Sequence, residues 1–64
     1  MRVNGEPRAH HEGLTLHSLL DELLVKQGAV VVMHGDVIYR AGAIPDVPLV
    51  EADVIEIVSM MQGG

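Results

Sequence analysis

Gly63 and Gly64 follow Gln62 at the C-terminus, directly after an apolar, strand-like run. Glycine has no Cβ, so such an arm adopts almost any backbone conformation and enters a channel too narrow for side chains. A free α-carboxyl has a reference pKa of roughly 3.3–3.7, so at neutral pH it is an anion able to attack an activated phosphate. Gly64 is therefore the candidate reactive group, with Gln62 and Gly63 as the arm that delivers it. A small-residue end also describes a frayed terminus, so the rest of the chain has to decide between the two.

The other groups with chemical reach are four histidines: His10, His11, His17 and His34. The adjacent pair His10 and His11 points in different directions from a polar loop, and no carboxylate stands one helical turn beyond it. The histidines read as solvated surface groups, and no metal site is expected. There is no cysteine, which removes disulfides, thiolate nucleophiles and sulfur-ligated metals.

Formal charge is −5, from nine acidic residues against four Lys and Arg. The cations Arg2, Arg8, Lys26 and Arg40 are scattered, whereas a phosphate-binding surface wants them clustered, so direct nucleic-acid binding is not expected. Asp46, Glu51, Asp53 and Glu56 read as a solvated acidic surface, suited to meeting basic partners. The first residues contain no apolar core of a signal peptide, and no run reaches membrane-spanning length, so a cytoplasmic protein with no membrane contact is expected. Sixty-four residues make a single domain, 1–64, with residues 62–64 as a flexible tail. A domain this short buries only about 60% of the surface its unfolded chain exposes. Tyr39 is the one aromatic residue, so Leu, Ile, Val and Met must fill the core.

Those groups need a frame. Met1 to Asn4 reads as a short strand, Asn4-Gly5 as a hairpin turn, and Pro7 to Ala9 as the return strand. Leu16, Leu19, Leu20, Leu23 and Leu24 form one apolar stripe at helical spacing. Thr15 is its N-cap, and Leu14 and Leu19 occupy the two positions of a hydrophobic staple. Asp21 and Glu22 are placed near the helix start, Lys26 near its end, and Gly28 as its terminator. Ala29 to Met33 is a β-branched strand, turning at His34-Gly35-Asp36 into Val37 to Arg40. Residues 41–50 carry Gly42, Pro45 and Pro48 and read as irregular, with room for one short helical turn. A last strand runs from Val54 to Met60, with Ile55 and Ile57 on one face and Val58 and Met60 on the other. The helix stripe needs the Ile face, which leaves Val58 and Met60 as an apolar docking patch beside the tail. The architecture is α+β: a small mixed sheet with one main helix on one face; if the last strand pairs with the first, both ends meet in mid-sheet.

In this order and spacing the chain resembles the ThiS/MoaD-type sulfur-carrier proteins, a ubiquitin-like β-grasp family, and most of all the ThiS branch. The matching pieces are Val3-Asn4-Gly5-Glu6, Thr15-Leu16 with Leu19-Leu20, and the hairpin Val30 to Arg40. Asp53-Val54-Ile55-Glu56-Ile57-Val58 followed by Gly63-Gly64 completes them. Two positions depart from the usual pattern: Ala52 where glycine commonly precedes the aspartate, and His34-Gly35 where the hairpin commonly carries Asn-Gly.

The resemblance implies a carrier that is not itself an enzyme and holds no permanently bound cofactor. An ATP-dependent activating enzyme would adenylate the Gly64 carboxylate, and a persulfide sulfur donor would displace AMP to leave a thiocarboxylate. In the ThiS branch the sulfur then goes to thiazole synthase in thiamine biosynthesis. Delivery to tRNA 2-thiolation or molybdopterin, conjugation to target lysines through Gly64, and a plain interaction module remain alternatives. Lys26 is the only lysine, which poorly serves chain-building through internal lysines. The free chain is expected to be a monomer.

Overall fold

The computed structural model describes residues 1–59. Five strands form one sheet: β1 (Arg2–Val3), β2 (Glu6–Pro7), β3 (Val30–His34), β4 (Val37–Tyr39) and β5 (Val54–Ser59). Their spatial order is β2-β1-β5-β3-β4, so the last strand in sequence is the central one. β5 runs parallel to β1 and antiparallel to β3, so the first and last strands meet in mid-sheet. One helix, α1 (Leu16–Glu22), supplies the cover, and the result is a ubiquitin-like β-grasp.

Both hairpins turn through two residues. Asn4 and Gly5 sit at φ 54 and 84, the left-handed conformations that the first turn demands. In the second, Gly35 takes φ 61, so it supplies what Asn-Gly usually supplies there. Ala52 has no positive φ. Its turn is closed instead by Asp53, whose N–H donates to the Val50 carbonyl at 3.0 Å while its carboxylate accepts the Val50 N–H at 2.7 Å. The return strand of the first hairpin starts one residue earlier than expected, at Glu6.

The helix begins where the sequence places it and ends sooner. Thr15 caps it: the Thr15 side chain accepts from the Ser18 N–H, and the Ser18 hydroxyl accepts from the Thr15 N–H. Leu14 and Leu19, the staple residues, are both in the core. After seven residues, however, the chain leaves the helix at Leu23, and Leu24 adopts φ 59. The Leu24 N–H bonds to the Asp21 carbonyl and the Val25 N–H to the Leu20 carbonyl, both at 3.0 Å. That bond pair is a Schellman closure with leucine in the place usually taken by glycine.

Three expectations fall with it. Leu24 leaves the apolar stripe and is 91% exposed. Asp21 and Glu22 lie in the last turn, not the first, where the helix dipole disfavours them. Lys26 and Gly28 lie beyond the helix, Gly28 inside a single 3-10 turn (Gln27–Ala29) that leads into β3. Residues 41–50 hold no helical turn; they carry a tight turn closed by the Ala43 N–H on the Arg40 carbonyl at 2.9 Å and an antiparallel bridge between Thr15 and Pro48.

The core lies between α1 and one sheet face. Leu14, Leu16, Leu19 and Leu20 pack there with Val3, Val30, Val32 and Ile55, and Ile44 and Leu49 close the side.

Candidate functional site

β5 carries the candidate tail, so its anchoring decides how the arm is presented. On the β3 side it pairs from His34↔Ile55 to Val30↔Ser59. On the other side β1 stops at Val3, and the ladder would end there. Asn4 extends it: its N–H donates to the Ile55 carbonyl at 2.9 Å, and its side-chain oxygen accepts the Ile57 N–H at 2.7 Å. One turn residue thus supplies a rung that the short strand lacks, holding β5 within two residues of its described end. Sequence reading assigned Asn4 to turn chemistry alone. Nothing local distinguishes the second role, because its partner is 53 residues away.

The two faces of β5 divide as period-2 phase expects. Ile55 is fully buried, and Ile57 is half-buried against the core. Val54, Glu56 and Val58 are exposed on the opposite face. Val58 stands in register with Val31, and Glu56 with Met33, which in turn pairs with Ile38. Val31, Met33, Ile38, Val54 and Val58 therefore share an uncovered apolar face, with Glu56 set among them. Of the residues expected to act, Val58 is placed on this face. Met60, Gln62, Gly63 and Gly64 lie outside the described residues.

The polar groups expected to be solvated are mostly engaged. His10 Nε2 is 2.8 Å from the Leu49 carbonyl, and His17 Nε2 is 2.6 Å from the Ile44 carbonyl. His34 Nε2 meets Asp53 at 3.1 Å, both side chains 19% exposed, tying the β3–β4 turn to the start of β5. Only His11 stays largely open, 3.6 Å from Glu22. His10 and His17 both find loop carbonyls because a helix this short leaves long connections whose backbone needs partners.

The acidic surface is corrected in the same way. Asp46 accepts the His17 N–H at 3.1 Å, so it serves as a second cap on α1 from a distant loop. The Thr15 side chain and then the His17 N–H hold its carboxyl below the ordinary value. Glu22, though ill placed for the helix dipole, is bridged by Arg8 at 3.0 Å, and the Arg8 hydrogen bond lowers its pKa, with His11 adding to it. Asp53 is half-buried, while Glu51 and Glu56 remain exposed. Among the described residues, no three His, Asp or Glu side chains come together to hold a metal ion. No helix among them is long and apolar enough to cross a membrane.

The assembled site is thus a doubly anchored central strand, apolar on its uncovered face, running toward the Gly63-Gly64 sequence. The family model described as the ThiS family matches residues 1–64. The sulfur carrier protein ThiS of Thermus thermophilus is 42% identical over 62 residues, which cover 97% of this chain and 95% of that protein.

Proposed function

The chain belongs to the ThiS family and is a carrier rather than an enzyme, and we propose that it carries sulfur as a thiocarboxylate on Gly64. The Gly64 carboxylate attacks the α-phosphate of ATP in the active site of an activating enzyme, releasing pyrophosphate and forming an acyl adenylate. Adenylation turns a resonance-stabilised carboxylate into an electrophile with a good leaving group. A persulfide then attacks the carbonyl and expels AMP. A thiol cleaves the resulting acyl disulfide, leaving the thiocarboxylate on the carrier and a disulfide on the donor side. Covalent carriage divides one difficult transfer into easier ones. The acceptor is thiazole synthase, and the pathway is thiamine biosynthesis.

The observation that carries this reading is the near full-length match to a sulfur carrier, joined to a chain whose central strand leads into Gly63-Gly64. Gln62 and Gly63 reach into the partner's channel, and the uncovered face bearing Val58 is where that partner grips. Met60 joins the docking patch on sequence grounds alone. Co-incubation with an activating enzyme, ATP and a persulfide donor, followed by intact mass and fragmentation, tests the proposal. The expected product has one oxygen replaced by sulfur on the last residue and reverts on hydrolysis. An unmodified chain beside a demonstrably active enzyme would overturn it.

A further inference from the structure

We infer that β4 is a self-pairing edge through which two copies of this chain join, by an antiparallel seam, into one continuous sheet. β4 is the outer strand, bonded to β3 alone. The Gly35-Asp36 turn makes His34 and Val37 a hydrogen-bonded pair, and in an antiparallel ladder such pairs alternate with non-bonded ones. Val32↔Tyr39 is therefore bonded and Met33↔Ile38 is not, so the Ile38 N–H and C=O point away from the sheet. No loop or turn hydrogen bond from the rest of the described chain reaches them.

The opposite edge shows what a blunted strand looks like here. β2 is two residues long, and Pro7, paired with Arg2 in the non-bonded position, has no outward N–H to offer. β4 has no proline or lysine, and Ile38 is 64% exposed.

The register is self-complementary. A two-fold axis through Ile38 places each Ile38 N–H against the partner's Ile38 C=O. It sets Val37 opposite the partner's Tyr39, and Asp36 opposite the partner's Arg40, each contact occurring twice. Asp36 and Arg40 are both exposed, and neither has an ion-pair partner among the described residues. Moving the axis to Val37 forfeits both charge pairs and offers a backbone already bonded to His34. The occupant is therefore a second copy, and the contact is small. The chain is monomeric when dilute and pairs when concentrated.

Sedimentation of the isolated chain over a series from about 10 μM to about 1 mM tests this, with no activating enzyme present, so failure leaves sulfur carriage untouched. The weight-average mass is expected to rise toward twice the monomer, with Ile38 amide exchange slowing as concentration rises. Ile38→Pro removes the outward N–H without breaking a ladder bond to β3, and should abolish pairing while the melting temperature holds. Asp36→Arg or Arg40→Asp should each abolish pairing, and the double exchange should restore it. A single-chain mass throughout, a double exchange that restores nothing, or pairing unaffected by Ile38→Pro would overturn the inference. So would an Ile38 amide protected only when a different protein is added.

Discussion

The two faces of the sheet are built from the same residue types and have opposite fates. Val3, Val30, Val32 and Ile55 lie under α1 and are almost wholly inaccessible. Val54, Val58 and Ile38, no less apolar, are 49%, 48% and 64% exposed. Hydrophobicity alone therefore does not decide burial; the single helix does, because it has one stripe and can cover one face. A solvated antiparallel face ordinarily carries polar side chains, and here it carries β-branched ones. The apolar content of the second face exceeds what the fold needs, which fits a surface covered by partners in turn.

Charge placed on each face breaks or sharpens that contrast. Ile55→Asp should have the largest effect, since it buries an unpaired carboxylate in a very small core. Complete loss of the thermal unfolding transition is expected by circular dichroism. Val58→Asp should leave that transition nearly in place and weaken binding to an activating enzyme by about 1–3 kcal/mol, measured by calorimetry. If Val58→Asp unfolds the chain and Ile55→Asp does not, the face assignment is inverted.

A smaller effect is expected at the end of the helix that covers the inner face. Leu24 holds a left-handed φ with its side chain in water, so Leu24→Gly should relieve backbone strain at no cost in packing. Stabilisation of up to about 1 kcal/mol is expected in urea titrations. A neutral or destabilising result would show that the exposed leucine has a contact that offsets its strain.

The smallest effect concerns acid. Asp46 and Glu22 have folded-state pKa values below their unfolded ones. Their contribution is therefore fully present above the unfolded carboxylate pKa and fades as pH falls through the lower folded values. Both groups are exposed, so the change in melting temperature between about pH 5 and pH 2 should be shallow. Asp46→Asn should make it shallower still, and an unchanged slope would remove Asp46 from the capping role.

What the sequence revealed was local. The helix start was legible because Leu14, Thr15 and Leu19 lie within six residues, and the face assignment because successive strand residues alternate faces and the helix stripe needs Ile55 and Ile57. The helix end was not. Terminator rules look to glycine, and the chain turns at a leucine four residues before Gly28. The engaged histidines, the Asp46 cap 29 residues from His17 and the Asn4 rung on β5 all depend on which loops meet, and no window of sequence carries that. Of the candidate site, the Val58 face was legible from its period, while Gly64, its arm and Met60 rest on the terminal sequence and the family.

The central position of β5 also sets an order of events during synthesis. The hairpins and α1 can form as they emerge, but each half of the sheet lacks its shared neighbour until residues 54–59 are available. Pairing β1 with β5 closes a loop of some fifty residues, a slow step for so short a chain. A nascent chain that has not yet yielded its last described strand cannot complete the sheet. The surface that a partner would grip is therefore assembled only once residues 54–59 have emerged.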